Sequence, residues 1–440
     1  MAGFQAWVHH LFAKPQQVPP RPSLPQEGTT LPERPSSFGR DLDAIAVAAE
    51  TSITRAELLA SSADDHNAFA VALYEQLHRK GGNQFFSPFS IRTALAMTYV
   101  GARGETAAQM REALHISSPD SALHASNADI ARSLTTTSDA AHEIAVANSL
   151  WSQVGAPIEP AFVDLIARHY GGDLRLVDFR RDVEVARAEI NQWVSDRTKA
   201  RIQDILPQLA EDTRLVLVNA VYFKALWAAP FDKDRTREEP FFLEGGGDVR
   251  APLMHQVKEI GYLQGPHYQA VTLSYRRAGL SLLVLLPDRR DGLPELETAF
   301  SAEMVKACLQ VRGTRRVELF LPRFKITWGT EDLHGPLAAL RMRLAFTRQA
   351  DFSGINGRAP PDEDSLFLSS VFHKAFVDVN EEGTEAAAAT AASMMFLGLP
   401  SRPPPVPIFR ADHPFLFAIC DRMSGAIIFL GRMLNPTRQS

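Results

Sequence analysis

The chain has very little of what catalytic, metal and redox sites are made from. Only two of its 440 residues are cysteines, and Cys308 and Cys420 stand alone, without the spacing of metal ligands or of a redox pair. The sequence also contains no Gly-x-Ser-x-Gly, His-Glu-x-x-His or phosphate-loop motif. We therefore expect two buried or free thiols, no metal, no cofactor and no enzymatic activity.

Long apolar runs and a strong charge of one sign are missing as well. No run of 18 or more apolar residues occurs, so we expect no transmembrane segment. Met1 to Lys14 lacks the basic start and uninterrupted apolar run of a secretory signal. A cytoplasmic location is therefore the default, and a misassigned start or unconventional export leaves secretion open. The formal net charge of −5 gives no reason to expect a nucleic-acid partner.

Residues 1–61 differ in composition from the rest of the chain. Seven prolines fall within residues 15–35, which predicts an extended, disordered tether. The apolar residues of segment 4–12 lie at helical spacing, which suits a weak contact with a partner or a membrane, or else a disordered tip. Arginine greatly outnumbers lysine and alanine is abundant, so we expect a GC-rich, bacterial genome.

What the sequence does contain is a stretch of small residues from Glu381 to Thr390, which reads Glu-Glu-Gly-Thr-Glu-Ala-Ala-Ala-Ala-Thr. Local propensity alone favours a helix here. Strand-like sequence precedes the stretch and a proline-rich run follows it, so an exposed segment between two extended ones fits better. With a strand's period of two, one face of this segment carries no charge. That face comprises Thr384, Ala386, Ala388, Thr390, Ala392 and Met394.

This stretch resembles the hinge of the serpin family, in which Glu, Gly, Thr and Glu precede small residues. Five further segments resemble serpin motifs, in the order that the family has them. They are 83–91, 218–227, 320–324, 350–355 and 412–417. The resemblance implies a single serpin domain over residues 62–438, which we expect to be a monomer.

Helical and strand-like patterns are mixed from residue 62 onward, which predicts an α+β chain. The resemblance implies the more specific serpin fold. That fold has three β-sheets, with a central five-stranded sheet A surrounded by about eight or nine helices. It also has an exposed reactive-centre loop, here over about residues 381–408.

The resemblance also implies a suicide-substrate inhibitor of serine proteases. The target protease cleaves the loop and stays attached in a covalent complex while the loop inserts into sheet A of a metastable fold. Counting along the family's loop from Gly383 places the scissile bond at Leu397-Gly398. The loop is longer than in common relatives, which leaves three other bonds open, those after Met395, Phe396 and Leu399. An apolar residue before the cut predicts chymotrypsin-, elastase- or subtilisin-like targets.

Three groups of residues are implied to control insertion. The hinge comprises Glu381, Gly383, Thr384, Glu385, Ala386, Ala388 and Thr390. A polar cluster that governs separation of the strands comprises Ser87, Ser90, Asn219 and His373. Trp227 and Arg323 match positions where the loop enters the sheet, and we expect Arg323 to pair with Glu381.

Two other functions stay open. A serpin that has lost the insertion acts as a carrier or chaperone, and such hinges usually contain bulky, charged or proline residues. Between Gly383 and Ala392 the one such residue is Glu385, which the inhibitory pattern itself includes. A cross-class inhibitor of papain-like cysteine proteases is the remaining alternative. Ala200 departs from the glycine that the family often has at the end of a helix.

Overall fold

The computed structural model describes residues 55–135, 142–155, 157–170, 173–210, 212–276, 279–384 and 405–438. These residues form ten α-helices and fifteen β-strands. The helices are α1 (Arg55–Leu77), α2 (Pro88–Tyr99), α3 (Gly104–Ala113), α4 (Asp120–Thr135), α5 (Pro160–His169), α6 (Val183–Arg197), α7 (Leu293–Ala299), α8 (Ala302–Leu309), α9 (His334–Ala339) and α10 (Ser353–Asn356). The strands are β1 (Gln84–Phe86), β2 (His142–Gln153), β3 (Asp173–Val177), β4 (Leu215–Leu226), β5 (Arg237–Phe242), β6 (Asp248–Gly265), β7 (Tyr268–Ser274), β8 (Leu280–Pro287), β9 (Arg315–Pro322), β10 (Phe324–Asp332), β11 (Leu368–Val379), β12 (Gly383–Thr384), β13 (Ile408–Arg410), β14 (Phe415–Asp421) and β15 (Ile427–Met433). None of the helices in these ranges is long and apolar enough to cross a membrane.

Helix α1 begins at Arg55, inside the extension predicted for residues 1–61. Alanine, glutamate and leucine occupy residues 56–60, and these are strong helix formers. The boundary predicted at residue 62 therefore falls within a helix. The remainder of the extension lies outside the described residues.

The smaller of the two sheets, here called sheet A, runs in the order β10–β11–β12–β4–β2–β3. Five of its strands correspond to the predicted five-stranded sheet, and the sixth, β12, has two residues. Strands β4 and β11 are parallel and pair directly from Leu215 with Leu368 to Tyr222 with Phe376. We call this direct pairing the seam. Beyond it, β12 lies between the two strands and is antiparallel to both.

The larger sheet follows the path β1–β15–β14–β8–β7–β6–β9–β13, with β5 also paired to β6. Its two halves share β6, which pairs with β9 over residues 253–260 and with β7 over residues 261–265. The second and third of the three predicted sheets are therefore continuous. The reason is that a single strand of 18 residues belongs to both.

Apolar layers cover both faces of sheet A, because successive side chains of a strand point to opposite faces. Leu217 and Phe223 of β4 join the large core that sheet A shares with the nine-stranded sheet. Val218 of β4 and Phe372 of β11 join a smaller cluster with Trp193 of α6. Helix α6 therefore packs on the outer face of sheet A, where it contacts β2.

Helix α2 lies under the inner face of sheet A, and all of its residues are buried. Ser87 caps its start, since the Ser87 side chain accepts a hydrogen bond from the backbone N–H of Ser90. Pro88 occupies the first helical position, where its missing N–H removes no helical bond. The capping residue is also one of the predicted cluster residues, so local helix chemistry helps to position the site.

The two cysteines are both free and buried, as the sequence predicts. Cys308 lies on α8 and Cys420 on β14. Burial is the main reason that the thiol pKa is raised, to about 11 for Cys308. Such a thiol stays protonated at neutral pH and is a poor nucleophile.

Backbone strain is present just after α6, at the position where the family often has glycine. The helix ends at Arg197, and Lys199 and Ala200 then have φ values of 51° and 58°. A residue with a Cβ adopts this left-handed conformation at a cost of about 1–2 kcal/mol. Ala200 therefore occupies a site that suits glycine better.

We expect Ala200→Gly to raise the free energy of unfolding by about 0.5–1 kcal/mol, because the relief of strain exceeds the added freedom of the unfolded chain. Urea unfolding measures the change. The matched control is Ala107→Gly inside α3, which should lower stability by about 1 kcal/mol. Equal or lower stability of Ala200→Gly contradicts the assignment of strain to this residue.

Candidate functional site

The predicted hinge turns back into sheet A immediately after β11. The backbone N–H of Asn380 donates to the carbonyl oxygen of Gly383 at 2.8 Å, and the reverse bond is 3.3 Å long. This tight turn sends the chain back as β12, with Thr384 opposite both Ala225 of β4 and Val379 of β11. The hinge therefore already begins an additional strand at one end of the seam.

Only glycine fits at position 383. Its φ is +154°, and a Cβ there would lie 2.2 Å from the carbonyl oxygen of Ala225 and 2.5 Å from the Cα of Leu226. Both neighbours are backbone atoms, so no side-chain rotation relieves the clash. Thr384 beside it is fully buried, and its hydroxyl lies 3.3 Å from the hydroxyl of Tyr275.

Trp227, predicted to lie where the loop enters the sheet, holds the turn at residues 380–382. Its backbone N–H donates to the carbonyl of Glu382 at 2.9 Å. Its indole N–H donates to the carbonyl of Asn380 at 2.8 Å. The indole also stacks on Tyr275, with ring centroids 4.6 Å apart. Trp227 therefore fixes the hinge backbone and is itself fixed by packing.

Glu381 pairs with Arg323, with 2.5 Å between Arg323 Nη2 and Glu381 Oε1. Thr236 donates a second hydrogen bond to the same oxygen at 2.6 Å. Burial acts to raise the pKa of this carboxyl, but the bonds from Arg323 and Thr236 outweigh burial and hold the pKa below its ordinary value. Lys233 forms an ion pair with the adjacent Glu382. Sequence reasoning missed Thr236 and Lys233, whose short segment after β4 carries no recognisable pattern.

The residues predicted to form a polar cluster meet on the inner face of the seam. His373 of β11 lies opposite Asn219 of β4. His373 Nδ1 donates to Asn219 Oδ1 at 2.5 Å, and Nε2 accepts the backbone N–H of Ser87 at 3.2 Å. These two partners favour the neutral imidazole of His373 with its proton on Nδ1, because a second proton on Nε2 would face the N–H of Ser87. Burial lowers the pKa of His373 to about 3.

The cluster extends one strand further than predicted, to Asn148 of β2. Asn219 Nδ2 donates to Ser90 Oγ at 2.5 Å and also to Asn148 Oδ1. Ser90 Oγ donates to Asn148 Oδ1 at 3.1 Å. Asn148 lies directly opposite Asn219 in the β2–β4 pairing. A lone asparagine in each of two apolar strands was the available signal for such a cross-strand pair.

Acid should weaken the protein through His373. The folded-state pKa of about 3 lies below the ordinary value of 6.5, so the folded protein binds fewer protons than the unfolded chain between these values. The contribution of His373 to the free energy of unfolding is therefore present above pH 6.5. It falls as the pH is lowered towards 3, by about 2 kcal/mol between pH 6.5 and 5.

Urea unfolding of the unaltered protein and of His373→Gln at several pH values measures this contribution. Burial also lowers the pKa of His66 and His124, so the difference between the two proteins is the relevant quantity. We expect His373→Gln to be less stable at pH 7 but to lose less stability in acid. Parallel pH profiles contradict the assignment.

The remaining predicted residues lie outside the described ranges, and their roles stay predictions. They are Glu385, Ala386, Ala388, Thr390, Leu397 and Gly398, with Met395, Phe396 and Leu399 as the alternative cleavage positions. The structure describes the two ends of the loop. Thr384 lies on β12 within sheet A, and the chain is described again from residue 405, shortly before β13.

A comparison with protein families agrees with this fold. The serpin family model, described as serine protease inhibitor, matches residues 64–436. The chain belongs to the serpin family. This membership supports inhibition of serine proteases, rather than enzymatic catalysis, as its function.

Relatives and solved structures are similar over most of the chain. Human leukocyte elastase inhibitor is 37% identical, with 86% of this chain and 99% of that protein covered. An uncharacterized serpin-like protein of the archaeon Thermococcus kodakarensis is 38% identical over 84% of each chain. Human thyroxine-binding globulin has a TM-score of 0.77 at 28% identity, covering 87% of this chain and 100% of that one. Uncleaved ovalbumin has a TM-score of 0.75 at 27% identity, covering 85% and 100%. The predicted bacterial origin stays a prediction.

Proposed function

We propose that the protein inhibits serine proteases as a suicide substrate. The protease cleaves the exposed loop, stays attached as its acyl-enzyme, and is moved as the cleaved loop inserts into sheet A. The observation that carries this proposal is β12, which occupies the first two positions of a new strand between β4 and β11. A strand placed there finds backbone donors and acceptors on both sides.

The pairing of β12 fixes the register that the rest of the loop would adopt. The pairing starts with Thr384 opposite Ala225 of β4 and Val379 of β11. Because both pairings are antiparallel, each following loop residue would lie opposite the preceding residue of β4 and of β11. Thr390 then arrives level with Asn219 and His373. A threonine hydroxyl can both donate and accept, so it suits the polar cluster as the two strands part.

The opposite face of the inserted strand also fits. On the outer face the seam is closed by Tyr222 and Phe376, whose ring centroids are 5.8 Å apart. In the same register, Ala387 would lie between these two rings and Ala391 beside Phe372. Alanine at both positions demands the least space, which limits the cost of overpacking.

We propose Leu397-Gly398 as the scissile bond. Leu397 and the preceding Met-Met-Phe suit the apolar primary pocket of chymotrypsin-, elastase- or subtilisin-like enzymes. The leukocyte elastase inhibitors among the relatives are named for a target of this class. Arg402 would suit trypsin-like enzymes, but Pro403 follows it and makes that bond a poor substrate.

Mixing the protein with chymotrypsin or subtilisin should yield a covalent complex that survives denaturing electrophoresis. The protease serine should be joined to Leu397, and the released peptide should begin at Gly398. Mass spectrometry of the complex and of the peptide checks both points. A start at Phe396, Leu397 or Pro400 instead would move the bond to one of the alternatives without changing the mechanism.

The same experiment separates the alternatives. Recovery of cleaved protein together with fully active enzyme, across several apolar-specific serine proteases, would contradict serine protease inhibition. A complex with papain but not with the serine enzymes would identify the cross-class inhibitor. The carrier alternative rests on likeness to thyroxine-binding globulin, and it predicts cleavage without any complex.

A further inference from the structure

One short segment of the chain holds the backbone of the hinge turn. This segment, residues 227–236, follows directly from β4 and is here called the cradle. The carbonyl oxygens of residues 380–382 each accept a hydrogen bond from it. Trp227 donates to the first and the third, at 2.8 and 2.9 Å. The backbone N–H of Phe231 donates to the second at 2.8 Å.

The cradle also holds both carboxylates of the turn. Residues Lys233–Arg235 form a single turn of 3₁₀-helix, and the backbone N–H of Thr236 donates to the carbonyl oxygen of Lys233 at 3.2 Å. Side chains three positions apart lie on one face of such a helix, because it has three residues per turn. The Thr236 hydroxyl donates to Glu381, and Lys233 pairs with Glu382. The 3₁₀ turn therefore presents one donor to each of two adjacent glutamates.

The two glutamates differ in what else holds them. The side chain of Glu381 is 3% exposed and is also paired with Arg323. The side chain of Glu382 is 15% exposed, and within the described ranges its ion-pair partner is Lys233 alone. Loss of the Lys233 charge therefore leaves a largely buried carboxylate without a countercharge. The ammonium group itself remains accessible to salt, since the Lys233 side chain is 63% exposed.

We propose that Lys233 is a positioning residue for insertion of the loop. Its ion pair with Glu382 keeps the hinge turn closed and so maintains the register from which the new strand grows. The pairings of β12 begin directly after this turn. If the turn opened, Gly383 and Thr384 would leave β4, and the strand would have to order its first residues again. The delay would give hydrolysis of the acyl-enzyme more time. This last effect rests on the proposed function.

Amide hydrogen exchange of the intact full chain, without any protease, tests the ion pair alone. Lys233→Met removes the charge and keeps an apolar stem. It should lower the protection of the amides of residues 382 and 383 about twofold to fivefold, as the loss of a partly exposed ion pair does. Added salt should lower the protection of the unaltered protein towards that of the variant. The charge swap Lys233→Glu with Glu382→Lys reverses the pair and should restore most of the protection.

Arg235→Met is the matched control. Arg235 lies on the same 3₁₀ turn and is 59% exposed, and it pairs with Asp232, 3.7 Å away. Its replacement removes a charge from the cradle and leaves the Lys233–Glu382 pair in place, so protection at residues 382 and 383 should be unchanged. Equal losses of protection in Lys233→Met and Arg235→Met, or a charge swap that restores none of it, overturn the proposal.

A second measurement tests the effect on insertion. With chymotrypsin, Lys233→Met should raise the ratio of cleaved protein to covalent complex about twofold to fivefold, and the charge swap should return this ratio towards its original value. Lower protection without any change in the ratio overturns the link to insertion. Absence of a covalent complex with the unaltered protein would instead count against the proposed function, whatever the exchange measurements show.

Discussion

Cleavage at Leu397-Gly398 should raise the thermal midpoint of the protein by tens of degrees. If the inserted loop keeps the register of β12, the new strand would run from Gly383 to Met394, opposite Leu215 at the start of β4. About twenty ladder hydrogen bonds at ~1 kcal/mol each are gained. Ordering about twelve residues costs a similar amount, at about 1–2 kcal/mol per residue. Burial of the inserted face and relief of a strained parent fold must supply the rest.

The size of the shift makes this prediction decisive. For domains of about 150–250 residues, 1 kcal/mol moves a midpoint by about 2–4 °C, and by less in larger ones. Tens of degrees therefore require on the order of 10 kcal/mol or more, far beyond the effect of nicking a surface loop. Calorimetry of intact and cleaved protein measures the shift. Ala388→Pro, cleaved at the same bond, is the matched control and should show little rise. An unchanged midpoint of the unaltered protein after verified cleavage would favour a carrier or chaperone.

Thr384→Arg should convert the inhibitor into a substrate. Thr384 is fully buried at the start of the new strand, and an unpaired charge placed there costs several kcal/mol. The loop bond itself is unchanged, so the protease still cleaves it but escapes before insertion. Stoichiometry titrations with chymotrypsin should show cleaved protein and active enzyme in place of the complex.

Glu385→Arg is the control, because it places the same side chain one residue further on. If the inserted strand keeps the register of β12, residue 385 comes level with Lys224 and Asp378, on the outward face of sheet A. Inhibition should therefore survive. Ala388→Pro should behave like Thr384→Arg, since proline removes a ladder donor opposite Val221 in the centre of the sheet. Normal inhibition by either of these two variants would show that the inward face is assigned wrongly.

Much of the site could be predicted because its residues obey local rules. The two-residue side-chain period of a strand predicted that Thr384 and Glu385 lie on opposite faces. The structure buries Thr384, as that pattern requires. Ser87 was implied by the resemblance alone, and the structure shows that it also caps α2. The resemblance supplied His373, Asn219 and Trp227, which the structure brings into contact with their expected surroundings.

What the sequence could not provide depends on contacts between distant segments. Asn148 joins the cluster only through the pairing of β2 with β4, and Thr236 reaches Glu381 across 145 positions of the chain. The continuity of the second and third sheets depends on β6 changing partners along its length. The role of residues 1–54 and the monomeric state stay predictions.

Under the proposed mechanism, the placement of β12 also favours rapid insertion of the cleaved loop. A new strand is slowest to start, because its first residues are ordered before many bonds form. In this protein Thr384 is already paired with both β4 and β11, and Gly383 with β4, so the first pairings of that strand exist before cleavage. Under the proposed mechanism, the strand then has only to propagate after cleavage, one residue at a time, in competition with hydrolysis of the acyl-enzyme.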